Sequence, residues 1–124
     1  MTDYTCDVIA ITDGDTYKCA IHVWPPDWHP VFGVRLRGVD TPEKGHRAKC
    51  PQEATLAQRA QRIAALWIKE AGGTLTLKRL ELGTFKGRVI ADVWAGQESL
   101  AKHMLAKGAG RPMGTTRGKL GWCR

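Results

Sequence analysis

One stretch of this sequence has the period of an amphipathic helix, and strand-like segments lie on both sides of it. Between residues 51 and 71 the apolar side chains recur every three or four positions and form one stripe: Leu56, Ala60, Ile63 and Trp67. Pro51 suits the first turn of a helix, and Gly72-Gly73 suits its end. The fold must therefore combine this helix with β-structure, which excludes an all-α bundle.

Five other segments are predicted strands, because they are rich in β-branched residues or alternate between apolar and polar side chains. These segments are residues 5–11, 16–23, 31–39, 74–80 and 88–94. Asp13-Gly14 is a hairpin turn signal, and the prolines of the loop Trp24–Pro30 break any ladder. A short second helix is predicted between Ser99, its N-cap, and Gly108.

The order of three strands, a helix, two strands and a helix is that of a small Greek-key barrel. We therefore predict an α+β, mainly β fold: a five-stranded OB-type Greek-key barrel with two packed helices and a short irregular C-terminal tail over residues 111–124. Residues 1–124 are expected to form a single domain, and we expect a monomer. No apolar run approaches the roughly 20 residues that a membrane helix needs, so no membrane partner is expected. No signal peptide is visible at the start, which leaves the compartment open between cytoplasm and, after removal of a signal, secretion.

The charge is unevenly distributed along the chain. The net charge is +7, yet residues 1–43 hold seven acids and three bases, whereas residues 44–124 hold five acids and sixteen bases. A basic body suits a polyanion such as nucleic acid, although many small basic proteins bind nothing in particular. Acids gathered in one part of a basic protein suggest a bound divalent cation.

The cysteines and histidines give weaker signals. Cys6 and Cys19 flank the predicted hairpin turn and can lie across two paired strands, and Cys50 and Cys123 can then join the tail to the middle of the chain. Four cysteines allow three pairings, and an all-reduced state suits a cytosol. No C-x-x-C occurs, which disfavours a structural zinc site. The four histidines are scattered along the sequence, and we assign none of them a catalytic role.

Three short motifs carry the candidate chemistry. Asp13-Gly14-Asp15-Thr16 is a turn whose two carboxylates can also supply oxygen ligands to a hard cation. The segment from Arg35 to Glu43 ends a strand with Asp40, and Glu43 follows across a proline-stiffened turn. Arg35 and Asp40 have the odd spacing that puts two residues on opposite faces of a strand, so a twist or bend must bring them together. Lys86-Gly87-Arg88 is a turn with a guanidinium that can bind a phosphate.

These motifs in this order, followed by Ser99-Leu100-Ala101-Lys102 and its short helix, resemble the staphylococcal nuclease (thermonuclease) family over roughly residues 5–112. The resemblance implies a calcium-dependent nuclease that cuts DNA, RNA or both and leaves a 3′-phosphate and a 5′-hydroxyl. Asp15 and Asp40 would ligate Ca²⁺ through their carboxylates, and the carbonyl of Thr41 would add a third protein ligand. Asp13 would orient a water beside that site.

The resemblance also implies roles in binding and catalysis. Glu43 would hold or deprotonate the attacking water, and Arg35 and Arg88 would bind the scissile phosphate, because a planar guanidinium meets phosphate oxygens in pairs. Three lysines would contact the nucleic acid: Lys44, Lys49 and Lys86.

The chain departs from the family pattern in three places. Lys86 stands where relatives often have a tyrosine, and residues 109–113 also lack an expected tyrosine. The loop Trp24–Pro30 is longer and more aromatic than usual, and its tryptophans can either stack on bases or cover the end of the barrel. The chain ends soon after residue 112, where larger relatives have a long helix. Two alternatives to a nuclease therefore remain: a non-catalytic OB-fold module that binds nucleic acid or protein, and a small disulfide-stapled secreted binder.

Overall fold

The chain is built from short strands and two helices. The computed structural model describes residues 2–23, 28–84, 87–114 and 121–123. The strands are β1 (Tyr4–Asp13), β2 (Thr16–Ile21), β3 (Val31–Leu36), β4 (Val39–Asp40), β5 (Thr74–Leu82), β6 (Arg88–Ala95), β7 (Glu98–Ser99) and β8 (Arg111–Pro112). The helices are α1 (Pro51–Glu70) and α2 (Leu100–Ala106), and a 3-10 turn covers Gly45–Arg47.

Five of the described strands close into a barrel. The sheet runs β3-β2-β1-β5-β6, each neighbour antiparallel to the next, and β3 pairs with β6 in parallel to complete the circle. The fully buried side chains on its inner face include Tyr17, Val34, Leu36, Leu77 and Val93. The predicted OB-type α+β fold is confirmed.

The long helix packs against the barrel through small residues. Its N-cap is Cys50, whose sulfur accepts a hydrogen bond from the amide of Glu53, and Pro51 is the first helical residue. The buried side chains of α1 are Glu53, Ala57, Ala60, Ala64, Trp67 and Ile68. The predicted stripe is therefore confirmed at Ala60 and Trp67, whereas Leu56 and Ile63 are only half-buried because the contact face is rotated toward the alanines.

The hairpin turn between β1 and β2 approaches both α1 and β4 closely. A Cβ atom added at Gly14 would lie 2.9 Å from the Cβ of Ala60 and 3.2 Å from the Cβ of Thr41. A side chain at Gly14 would therefore push the turn away from the helix. The close approach places Asp15, the next residue, beside Thr41.

The predicted strand 31–39 is wrong at residues 37 and 38. β3 ends at Leu36, a turn covers Arg37 and Gly38, and β4 begins at Val39. Gly38 has φ +80°, a backbone conformation that favours glycine, and it reverses the alternation of side chains along the strand. This turn is the bend that Arg35 and Asp40 require in order to meet.

The structure also differs from the prediction at the end of β2 and in the tail, and β1, β5 and β6 are one to three residues longer than predicted. β2 ends at Ile21 and not at Val23, which forms an isolated antiparallel bridge with Trp28. Residues 24–27 of the predicted loop lie outside the described residues. The tail, predicted to be irregular, begins with β8, which pairs with β4. Residues 115–120 and 124 of the tail lie outside the described residues.

Two disulfides join the four cysteines, Cys6 with Cys19 and Cys50 with Cys123. The first lies across β1 and β2 in the core, and the second ties the start of α1 to the tail. The short helix is confirmed, because Ser99 caps it by accepting a hydrogen bond from the amide of Lys102, and Leu100 and Met104 are fully buried. Neither α1 nor α2 combines the length and the apolar character that crossing a bilayer requires.

Candidate active site

Two aspartates and an arginine meet at the end of the barrel where β3 turns into β4. Asp15 is the second residue of the two-residue β1–β2 turn, and Asp40 ends β4. The Nη2 of Arg35 donates to Oδ1 of Asp40 at 2.7 Å and lies 3.4 Å from Oδ2 of Asp15. One guanidinium nitrogen therefore stands between two carboxylates that are mostly buried, and its charge offsets part of their repulsion.

The backbone around these carboxylates holds them in place. The amide of Thr41 donates to Oδ2 of Asp15 at 3.1 Å, and the hydroxyl of Thr16 donates to the other oxygen, Oδ1, at 3.1 Å. The amide of Gly114 donates to Oδ2 of Asp40 at 3.3 Å. Asp15 and Asp40 are thus positioned by bonds from three different parts of the chain.

Arg35 also has a structural role at the turn. Its Nη1 donates to the carbonyls of Leu36 at 2.8 Å and of Val39 at 2.6 Å. These bonds span the Arg37–Gly38 turn and link the end of β3 to the start of β4. The guanidinium therefore stabilises the turn that brings Asp40 toward Asp15.

The second predicted arginine reaches the same place from the neighbouring strand. Arg88 begins β6, lies opposite Gly33 in the parallel β3–β6 ladder, and donates from Nη2 to the hydroxyl of Thr16 at 3.1 Å. Because Gly33 has no side chain, the Arg88 side chain has room above β3. Two residues further along β3, on the same face, is Arg35.

Asp15, Thr16, Arg35 and Arg88, but not Asp40, line a polar cleft of about 410 Å³. Its walls are formed by Thr12, Asp13, Asp15, Thr16, Lys18, Gly33, Arg35, Glu43, Arg47, Gly87 and Arg88. Its lining includes three acidic and four basic side chains. Such a cleft suits a ligand that carries negative charge together with a cation.

Glu43 lies at the rim of this cleft with its side chain about 45% exposed, and its Oε2 is 3.3 Å from Nε of Arg47. Partial burial raises the pKa of the Glu43 carboxyl above its usual 4.5; the arginine at residue 47 lowers it, and the nearby carboxylates of Asp15 and Asp13 raise it further. A carboxylate with a raised pKa is a better proton acceptor than an ordinary glutamate.

Asp13 lies near two basic side chains, Lys44 and Arg47, of the segment that follows Glu43. Oδ1 of Asp13 is 3.7 Å from Nζ of Lys44, which also bonds to the carbonyl of Thr12, and Oδ2 is 3.7 Å from Nη2 of Arg47. Lys49 is exposed, but it is not among the residues that line the cleft. Lys86 lies outside the described residues.

Glu53 is a buried acid that the sequence analysis missed. Glu53 is only 4% exposed. Its two carboxylate oxygens accept hydrogen bonds from the amide of Glu43 at 2.9 Å and from the amide of Lys49 at 2.8 Å. The spacing of Glu53, three residues after the N-cap Cys50, is the spacing of a capping box and could have indicated this role. Arg47 and Lys18 were missed as well, because nothing in a lone basic residue shows which way it points.

Oxygen atoms at and beside the cleft are of the kind that a hard divalent cation takes, although Asp40 and Thr41 are not among the residues that line it. Asp15 and Asp40 present carboxylate oxygens on either side of one guanidinium nitrogen. The buried hydroxyl oxygen of Thr41 has no hydrogen-bond partner among the described residues, so an oxygen next to Asp15 has unused bonding capacity. Calcium takes ligands of this kind, from carboxylates, carbonyls and water.

A closed barrel of this topology, with acids and guanidiniums gathered at one end, defines an OB-type protein with a polar cleft. The family model described as staphylococcal nuclease homologue matches residues 33–117. The chain therefore belongs to the staphylococcal nuclease family. The matched region includes Arg35, Asp40, Glu43 and Arg88, whereas Asp15 precedes it. A comparison with curated proteins finds no match.

Proposed function

We propose that this protein is a calcium-dependent nuclease that hydrolyses phosphodiester bonds in DNA, RNA or both. The observation that carries the proposal is the meeting of Asp15, Arg35, Glu43 and Arg88 in one cleft. A family with nuclease members and a cleft of mixed charge support the same conclusion.

The ligands proposed for Ca²⁺ are the carboxylates of Asp15 and Asp40 and the carbonyl of Thr41. The ion would supply charge stabilisation for the phosphate oxygens. Asp13 is proposed to orient a water near this group, from its position on the wall of the cleft.

The two arginines are proposed to bind the scissile phosphate. Phosphodiester hydrolysis adds negative charge to the phosphoryl oxygens as water attacks, and fixed cations stabilise that charge in a partly enclosed cleft. A guanidinium has five donors, so Arg88 can keep its bond to Thr16 and still bind two phosphate oxygens. Arg35 lines the same cleft and is proposed as the second phosphate ligand.

Glu43 is proposed as the general base. It would take a proton from the attacking water, whose oxygen forms a new bond to phosphorus while the bond to the 5′-oxygen breaks. The products would then be a 3′-phosphate and a 5′-hydroxyl, and the leaving oxygen takes its proton from solvent. The raised pKa of Glu43 supports this role.

Lysines and arginines outside the phosphate site are proposed to attract the polyanion. Lys44 and Lys49 lie on the segment that follows Glu43, and Lys86 precedes the Gly87-Arg88 pair. Lys18 and Arg47 join them from the wall of the cleft. Attraction of this kind weakens as salt is added.

The two disulfides support an oxidising compartment as the place where the protein acts. Disulfides persist in secreted and periplasmic proteins and are rare in a reducing cytosol. Of the two compartments that the sequence left open, we therefore propose the extracytoplasmic one.

The decisive experiment measures cleavage of single-stranded DNA by the purified protein with Ca²⁺ and then with excess chelator. We expect cleavage only with Ca²⁺. Replacing Glu43→Gln should lower turnover by about 10²–10⁴ with little change in substrate affinity, because a general base contributes about that much. Glu70→Gln, at an exposed acid on α1, is the matched control and should cut like the parent. A Glu43→Gln variant with parental turnover would contradict the role of Glu43.

The second candidate is a non-catalytic OB-fold module that binds nucleic acid. The observation in its favour is that the guanidinium of Arg35 already contacts two carbonyls and two carboxylates. This alternative predicts salt-sensitive binding of single-stranded DNA without any cleavage product, whether Ca²⁺ is present or not.

A further inference from the structure

Two histidines and an aspartate lie together on the barrel wall, outside the cleft. Asp7 belongs to β1, His22 directly follows β2, and His29 lies just before β3. One ligand atom from each, two ring nitrogens and a carboxylate oxygen, lie within 4.8 Å of one another. None of the three residues lines the proposed nuclease cleft.

The strand register explains why these residues meet. Asp7 lies opposite Ala20 in the β1–β2 ladder, and His22, two residues after Ala20, is on the same face. The β2–β3 register aligns Ala20 with Val31, and two steps further along it places His22 opposite His29. Cys6 and Ile21, the neighbours of Asp7 and His22, are buried in the core, so the three polar side chains lie on the outer face.

The three side chains already contact one another in a chain, Asp7 to His22 and His22 to His29. Nε2 of His22 lies 2.6 Å from Oδ2 of Asp7, and the hydroxyl of Thr74 donates to the other carboxylate oxygen at 2.9 Å. The rings of His22 and His29 are stacked, with centroids 3.9 Å apart and planes within 2°. The hydroxyl of Thr74 orients the carboxylate, as an outer partner of a metal ligand commonly does.

We propose that Asp7, His22 and His29 form a binding site for a divalent transition metal ion of the zinc type. Imidazole nitrogens with one carboxylate are typical ligands of Zn²⁺, and three protein ligands with a water complete its tetrahedral shell. The donor set differs from the oxygen-only set of the cleft, which suits calcium. The site does not depend on the proposed nuclease activity.

Binding requires two small rearrangements that the structure permits. The 2.6 Å separation between Nε2 and Oδ2 must open to about 3.3 Å, the spacing that two ligands about 2 Å from a tetrahedral zinc would have. The His29 ring must turn out of the stack, because the in-plane lone pairs of two parallel rings do not converge on one ion. The exposed position of His29 leaves room for that rotation.

A metal ion at this site would join β1, β2 and the segment leading into β3. It would stabilise the folded protein by mass action, since the unfolded chain does not hold the three ligands together. The consequence is a rise in melting temperature with added Zn²⁺ in the intact, disulfide-bonded protein.

The test is a titration of the whole protein with Zn²⁺ by calorimetry, in millimolar Ca²⁺ so that the two kinds of site are separated. We expect one Zn²⁺ per chain. Thr74→Val removes the outer partner of the carboxylate and should weaken Zn²⁺ binding by about 10–100-fold. His29→Ala and His22→Gln each remove a ligand and should weaken Zn²⁺ binding by more than that. His46→Ala, at an exposed histidine elsewhere, is the matched control and should bind like the parent.

A second measurement, the melting temperature with and without Zn²⁺, tests the proposal even when a variant folds poorly. Zn²⁺ should raise the melting temperature of the parent and of His46→Ala, and it should leave that of His29→Ala unchanged. The proposal is overturned if His29→Ala and His22→Gln bind Zn²⁺ as the parent does. It is also overturned if His46→Ala loses as much affinity as they do, or if Asp40→Asn abolishes binding, which would place the ion beside Asp15 and Asp40.

Discussion

At the scale of single residues, Arg35 combines structural contacts with a proposed chemical role. Its Nη1 bonds to two carbonyls across the β3–β4 turn, while Nη2 lies between the carboxylates of Asp15 and Asp40. These contacts use both terminal nitrogens of the planar fork. A lysine has the same charge but only one nitrogen, so it cannot reproduce them.

Arg35→Lys should therefore lower nuclease turnover by about 10²–10³, the usual effect of losing one group that stabilises transition-state charge. Its melting temperature should also fall, since the turn loses two bonds. The measurement is initial cleavage rate with Ca²⁺ at a temperature where both proteins are folded. Arg59→Lys, on the exposed face of α1, is the control, and equal rates for Arg35→Lys and the parent would contradict the role of the fork.

The burial of Tyr17 predicts how the free energy of unfolding changes with pH. Complete burial raises the pKa of its hydroxyl well above the usual 10.0, the charge of Asp15 raises it further, and Arg35 opposes these effects. The unfolded chain therefore loses this proton at lower pH than the folded protein. The contribution of Tyr17 to stability is fully present below about pH 10 and declines above it by about 1.4 kcal/mol per pH unit.

Tyr17→Phe should be less stable at pH 8 by about 1 kcal/mol, because the hydrogen bond to the carbonyl of Gly14 is lost. Its free energy of unfolding should then fall less steeply than that of the parent between about pH 10 and 11. Urea denaturation at several pH values measures both slopes. Parallel slopes for the two proteins would show that Tyr17 does not titrate on unfolding.

At the scale of elements, the segment from Glu43 to Lys49 is held at both ends by the first turn of α1. Glu53 accepts hydrogen bonds from the amides of residues 43 and 49, and Cys50 caps the helix. The helix therefore positions a segment that carries the proposed general base. Glu53 touches neither substrate nor metal in this scheme and acts as a positioning residue.

Glu53→Gln should leave one of these amides without its acceptor and lower the free energy of unfolding by about 1.5–3 kcal/mol. Turnover should fall while KM changes little, because Glu43 is misplaced but the phosphate-binding arginines are not. Steady-state cleavage kinetics separate the two parameters, and Glu70→Gln serves as control. A drop in stability with turnover intact would limit Glu53 to a structural role.

At the scale of the whole molecule, the barrel is closed by its ladders, and the tail is attached by a covalent bond. The disulfide between Cys50 and Cys123 spans 73 residues of sequence. Near it, the guanidinium of Arg111 lies 4.1 Å from the ring centre of Trp122, which is buried. The disulfide and the Arg111–Trp122 pair hold residues 121–123 beside β8.

Removing the long-range disulfide with Cys50→Ala and Cys123→Ala should lower the free energy of unfolding by about 4 kcal/mol, the value that loop-closure entropy gives for a loop of this length. Urea denaturation of the double variant and the parent measures the difference. If the single domain expected from the sequence is correct, both transitions should be cooperative and superimposable by fluorescence and circular dichroism. A loss well below 1 kcal/mol would show that the unfolded chain gains little freedom when the bond is removed.

Local patterns in the sequence were enough to predict most of the fold. The 3.6-residue period, the glycine stop and the Ser99 cap depend on near neighbours, so α1 and α2 were predicted closely. The five barrel strands were placed for the same reason. The strand end at Gly38 was missed because a single glycine within an alternating run does not show whether the chain turns there.

The candidate site was predicted as a set of residues through the ordered motifs, but their arrangement required the tertiary structure. Arg35 and Asp40 meet because Gly38 turns the chain, and Asp15 joins them because Gly14 lets its hairpin approach Ala60. Glu53 and the Asp7–His22–His29 group were missed, since their partners lie across the strand ladders or on a helix. The sequence by itself determined the barrel, the helices and the family, because those depend on local periodicity and motif order. Only the tertiary structure decided the disulfide pairing and the groups that share a cleft or a face, because such contacts form between distant segments that only folding brings together.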